Sequence, residues 1–236
     1  MTTPAPSPAR ILVVQASSPR IPAAPDAGAE FREIRLSVDG GRYRDAVVLE
    51  ALQAARLPDV TARLIREVPA VLHFSARGTP DGGGLRFLTE DGGDAPVRDR
   101  GLAKLLCEFV GDGLRVVVLN ACWTSELAGM LVEAVPCVIG TAGPIRDGEC
   151  RTYSRTLYSS LAHGRSVGQS HRIAVHEAEA CGADAAFLPA LVSSPATIPD
   201  AVYLIGPEFR SPPVRTPVKP LGGAPTWLRF ARKRRL

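Results

Sequence analysis

Short apolar runs alternate with amphipathic stretches along most of the chain, the pattern of an α/β fold with a mostly parallel central sheet flanked by helices. Ile11–Val14, the start of Ala46–Leu52, Val71–Ser75, Leu114–Leu119 and Val135–Gly140 read as strands. They are apolar enough to be covered on both faces. Helical spacing predicts Gly28–Val38, with Phe31, Ile34 and Val38 on one face and Gly40-Gly41 at its end. It also predicts Asp59–Val68, closed by Pro69, and residues 99–110, with a stripe of Leu102, Leu105, Leu106 and Phe109. Further helices are expected over Ser125–Ala134, Asp147–His163 and Val167–Glu179. Two glycine clusters, Asp81–Gly84 and Asp91–Gly93, bracket Leu85–Leu88 and predict a short surface β-hairpin. The triple glycine is not a phosphate loop, because no Gly-Lys-Ser/Thr follows it. Ala201–Ile205 is a candidate last strand.

The length of 236 residues and a 45% hydrophobic content suit a folded domain with a sizeable core. No apolar run is long enough for a membrane span, and the Pro-rich start lacks the flanks of a secretory signal, so a cytoplasmic protein is expected. The net charge of +4 is unevenly spread. From Pro207 onward there are six prolines, and eight Lys/Arg stand against one acid, Glu208. That leaves +7 on the tail and −3 on the rest, so the body carries no basic nucleic-acid signature. The organisation expected is a Pro-rich, disordered segment 1–9, a folded domain 10–206 and a basic tail 207–236. The tail's Trp227–Leu236, with aromatics among arginines, suits an acidic surface or plain solvation.

Five cysteines fall at scattered spacings with no CxxC, and His171 and His176 are five apart, off the spacing of helix-borne ligands. No metal or cofactor is expected. Chemistry is sought instead where parallel sheets place it, beyond the C-terminal ends of the strands. Two segments leave strands there: Val71-Leu-His-Phe-Ser-Ala-Arg-Gly78 and Val118-Leu-Asn-Ala-Cys122. If the strands are neighbours, Arg77 and Cys122 reach one edge. Cys122 precedes a helix start, where backbone amides and a nearby arginine favour a thiolate. From position alone it reads first as a small buried residue closing a strand.

At these residues the chain resembles the CHAT domain, a caspase-like group in the clan that also holds caspases, metacaspases, separase and gingipains. The resemblance is carried by Ile11–Pro19, Phe31–Leu36, Pro69–Gly78, Gly83–Thr89, Val116–Thr124, Val135–Gly140, Ile145–Asp147 and Tyr153–Val167. It implies a caspase-like three-layer sandwich and a cysteine endopeptidase with a Cys/His dyad. The nucleophile position matches Cys122. The family's His-Phe-Ser-Gly-His-Gly is here His73-Phe-Ser-Ala-Arg-Gly78, so Arg77 stands where the catalytic histidine is found.

Cleavage by a thiolate needs a group that gives a proton to the leaving amine, and arginine does not release one at neutral pH. A regular strand would leave His73 about 13 Å behind residue 77, as a hydrogen-bonded core histidine rather than a substitute base. His163 is expected to close a helix, and His171 and His176 to lie on a later one. Gly78 is a candidate for a backbone N–H facing an oxyanion. Asn120 is expected to shape the nucleophile loop and contact substrate. Asp147 is either a pocket residue, which the resemblance associates with a basic side chain, or a helix N-cap. Three functions follow. The first is a degenerate cysteine endopeptidase. The second is a pseudo-peptidase module that binds a protein or peptide, beside a sensor or adaptor protein in a bacterial conflict or signalling system. The third is a thiol-based sensor at Cys122.

Overall fold

The computed structural model describes residues 7–17, 25–79 and 84–207. Tail residues 208–236 and most of segment 1–9 lie outside the described residues, so the expectations for disorder and for the basic tail do too. The six-stranded sheet runs in the order β2 (Val47–Leu52), β1 (Ala9–Gln15), β3 (Val71–Ser75), β7 (Val116–Asn120), β8 (Cys137–Gly140), β9 (Ala190–Ser193). All neighbouring pairs are parallel except β8 with β9.

Strand alternation divides the core in two. Leu12, Val14, Leu72, Phe74, Val117 and Leu119 face α2 (Leu57–Arg66), α3 (Asp99–Cys107) and α4 (Ser125–Leu131), which contribute Val60, Leu64, Leu102, Leu106, Leu127 and Leu131. Ile11, Val13, Val71, Val116, Val118 and Ile139 face α1 (Ala27–Asp39), α5 (Asp147–Ala162) and α6 (Val167–Ala180), through Ile34, Val38, Tyr153, Leu157, Leu161 and Ala174. This is the three-layer sandwich, and it explains why the strands read as continuous apolar runs: adjacent residues enter opposite cores. Burying each such Leu, Ile or Val contributes about 1.5–3 kcal/mol.

The structure corrects two expectations. β1 begins at Ala9, paired with Val47. The hairpin is a three-stranded antiparallel sheet, β4 (Arg77–Gly78), β5 (Leu85–Leu88) and β6 (Asp94–Pro96). It takes Arg77 out of the line of β3. Leu85 and Phe87 anchor it, with Phe87 edge-on to Phe74 at 6.0 Å. Ala201–Ile205 is not a strand. Pro199 opens a 3₁₀ turn over Pro199–Ala201, and Tyr203 makes a single bridge to Ser166. The last strand is β9, a short edge strand that follows Pro189. Among the described residues no helix is long and apolar enough to cross a membrane.

Buried Tyr153 and half-buried His171 join α5 to α6. The His171 ring is pushed down to about 4 by burial, aided by Arg172 and His176, so it is neutral, and its Nδ1 shares a hydrogen bond with the Tyr153 hydroxyl at 2.8 Å. An unfolded histidine takes a proton near pH 6.5. The contribution of His171 to stability is therefore complete above that pH and is lost as pH falls toward 4. The midpoint of urea unfolding should drop between pH 6.5 and 4.5. In His171→Asn that drop should be smaller.

Candidate active site

Parallel pairing of β3 with β7 sets Ser75 opposite Asn120 at the strand ends. Two residues further on, each chain delivers its candidate group, Arg77 and Cys122, to the same edge. Both line a cleft of about 540 Å³, with Asp26, Glu30, Gly78, Asn120, Trp123, Ile145, Asp147 and Cys150 among its other walls.

The loop carrying Cys122 is held tightly. Trp123 has a positive φ of 52°, a strained conformation for a bulky residue, and its N–H donates to the Gly143 carbonyl at 3.3 Å. Thr124 and Thr141 staple the loop to the end of β8. The Thr141 hydroxyl donates to the Ala121 carbonyl at 2.5 Å, the Thr124 hydroxyl accepts from the Thr141 N–H at 2.9 Å, and the Thr141 carbonyl accepts from Thr124 N–H at 2.8 Å. α4 opens three residues after Cys122 and is only seven residues long, three short of expectation. The Cys122 sulfur accepts the Ile145 N–H at 3.5 Å and lies 3.8 Å from the Ile145 carbonyl. Gly78 rests on the Cys122 backbone: a Cβ there would lie 1.7 Å from the Cys122 carbonyl oxygen. Only glycine permits this approach.

No histidine lines the cleft. His73 is fully buried beneath it, bonded to Tyr158 Oη at 3.0 Å and Glu30 Oε1 at 3.1 Å. His163 caps α5 through the Ser159 carbonyl, and His171 is taken by Tyr153. Arg77 lies on β4 directly across from Arg86, with Asp94 Oδ2 at 3.9 Å.

The floor of the cleft is a buried carboxylate absent from the sequence reading. Glu30, 4% exposed, accepts from His73 Nε2, Asn120 Nδ2 and Ser154 Oγ on one oxygen and from Ser75 Oγ at 2.5 Å on the other. An ionised carboxylate only accepts, so His73 donates from Nε2 and its Nδ1 accepts the Tyr158 hydroxyl when the ring is neutral. Burial pushes the Glu30 carboxyl up, but His73 and the serine hydroxyls outweigh it and hold the group below its ordinary value. A signal for Glu30 was present: it lies four residues before Ile34 and eight before Val38, an acid on the apolar stripe of α1.

Asn120 lines the cleft, but its amide nitrogen is spent on Glu30 and Ser154, which makes it a support of the loop. Its Oδ1 is buried without a partner among the described residues. Asp147 is the first residue of α5 and not its N-cap. Arg146 occupies the cap position, and its N–H donates to Glu149 at 3.1 Å. Asp147 instead faces the cleft, with Arg151 at 3.4 Å. Cys150, beside it, is kept a thiol by burial and by the negative groups around it, Glu30 first.

Comparisons with known proteins agree with this architecture. A family model described as the CHAT domain matches residues 2–181. No curated protein matches the sequence. Among solved structures, a secreted C11 cysteine protease from Bacteroides thetaiotaomicron, in complex with an irreversible peptide inhibitor, has a similar fold, with a TM-score of 0.54 and 10% identity. The match covers 78% of this chain and 66% of that one, just under two thirds of the protease's length. At that identity the likeness is one of fold.

Two substitutions test the supports of the site. Glu30→Gln leaves buried donors facing an amide, and should lower unfolding stability by about 3–5 kcal/mol in denaturant titrations at pH 7. The wild-type contribution is present above about pH 4.5 and is lost as pH falls through the lowered Glu30 value, so the two proteins should converge in acid. Thr141→Val leaves the Ala121 carbonyl short of a donor and should cost about 1–2 kcal/mol, with faster alkylation of Cys122 as its loop loosens.

Proposed function

The chain belongs to the CHAT domain family, and from that premise we propose that it is a caspase-like module that holds peptide segments in the Cys122 cleft without hydrolysing them. One observation carries this reading: Arg77 lines the cleft together with Cys122, and none of the histidines does. Attack of a thiolate on a peptide carbonyl yields a tetrahedral intermediate. It collapses to an acyl-enzyme only if the departing nitrogen gains a proton. A guanidinium holds its proton too tightly to supply one. His73 does not take over, because both its ring nitrogens are engaged with Glu30 and Tyr158. The other parts support binding: a loop held by Thr124 and Thr141, an approach kept open by Gly78, and Asp147 on the wall, where it would face a donor or cationic group of the peptide.

In this reading Cys122 and Arg77 are recognition groups in a protease-derived frame spanning 10–206, and the chain acts as an effector or regulatory module beside a sensor or adaptor protein. Loss of the proton donor alone removes about 10²–10⁴-fold of a peptidase's rate.

A panel of quenched fluorogenic peptides incubated with the wild-type chain should show no turnover above that of Cys122→Ala. Arg77→His restores an imidazole at the family's position and should raise Cys122-dependent turnover above the wild-type level. Wild-type cleavage that vanishes in Cys122→Ala would overturn the reading in favour of a degenerate endopeptidase.

A further inference from the structure

We infer that the cleft is a receptor for the free carboxyl terminus of a peptide, with Arg77 as the group that pairs with it. The inference rests on the reading of the cleft as a non-hydrolysing peptide site and names its ligand.

Four charged side chains line the cleft, and three are already engaged. Four donors saturate Glu30. Asp26 caps α1 by accepting the Ala29 N–H at 2.9 Å. Asp147 has Arg151 at 3.4 Å. Arg77 is the exception. Its closest acid among the described residues is Asp94, 3.9 Å away, and Asp94 is already committed to Arg86, whose Nε donates to Oδ1 at 2.8 Å and whose Nη2 donates to the backbone carbonyl at 2.9 Å. Arg77 and Arg86 are also cross-strand partners, and like charges in that position repel. Two guanidiniums therefore share one carboxylate, a cluster with one positive charge in excess, and Arg77 is the member of it that lines the cleft. The planar fork of that guanidinium is the geometric match of a carboxylate.

The place of Arg77 argues for the carboxylate of a chain end. It adjoins Gly78, which touches the Cys122 carbonyl. A peptide in a cleft of this type presents a carbonyl carbon to the sulfur, with its leaving nitrogen toward the neighbouring group. When the chain ends at that residue there is no leaving nitrogen. A second oxygen stands in its place, and its charge meets Arg77. Every finished chain carries such a carboxylate, and peptide-bond hydrolysis makes new ones.

The test uses the immobilised full chain and an N-acetylated random hexapeptide library, made once as free acids and once as carboxamides, with retained peptides quantified by mass spectrometry. Wild type should retain free acids about tenfold over their amides. Arg77→Met should bring the ratio to about one without changing the melting temperature, and Arg77→Lys, which keeps the charge and loses the fork, should fall between. Equal retention of acids and amides by wild type overturns the inference while leaving a peptide-binding cleft standing. Arg77-dependent retention of amides rich in internal Asp or Glu overturns it in favour of an acidic side chain. Cys122-dependent fragments of the library, or no retention of either form, sink the non-hydrolysing peptide site and this inference together.

Discussion

Glu30 is a carboxylate with almost no contact with water, and ionising it there is tolerable only because four donors converge on it. Those donors come from three different elements, and Glu30 itself from a fourth: His73 and Ser75 from β3, Asn120 from β7, Ser154 from α5, all onto α1. Buried charge gains little net stability over a well-packed apolar substitute, but it penalises every arrangement that leaves a donor or the carboxylate unpaired. The cluster therefore fixes the relative positions of the central strands and the helices on one face. Its uppermost member, Asn120, is two residues from Cys122, so the same constraint sets the base from which the cysteine loop springs.

Above that base the loop is rigid at an energetic expense. Trp123 adopts a left-handed backbone conformation that its side chain disfavours, and the chain is held there by the hydrogen bonds of Thr124 and Thr141 to the end of β8. Such strain survives only where the surroundings over-determine it. Opposite, Gly78 approaches the Cys122 carbonyl more closely than any side chain allows. The backbone on both sides of Cys122 is thus closely fixed.

Arg77 brings to this cleft a chemistry different from that of a histidine. An imidazole accepts and returns protons near neutrality, whereas a guanidinium is a permanent cation that offers only donors. In the proposed reading the site turns from proton transfer to recognition. Arg86 strengthens that shift by claiming Asp94, the nearest described acid that would otherwise neutralise Arg77.

The sheet was legible in the linear pattern because parallel strands covered on both faces must be apolar at successive positions, and Val71–Ser75 was read to the residue. The edge strand β9 escaped, since Pro189 interrupts the apolar stretch Phe187–Val192 that runs into it. Cys122, Arg77 and Gly78 could be singled out because they follow two of those strands in a recognisable order. His73 was readable as a core histidine from strand rise alone. Tertiary structure alone decided the rest. The partners of Glu30 lie 43 to 124 residues away, so nothing local to α1 announces why an acid should occupy its apolar stripe. The departure of Arg77 into the three-stranded sheet, and its pairing across from Arg86, likewise arise from strand pairing. Sequence by itself determined which residues are apolar enough to build the sandwich and which chemical groups stand at its strand ends. The folded chain decided which of those groups are already satisfied and which still lack a close partner, because hydrogen bonds and charge pairing are properties of neighbours in space.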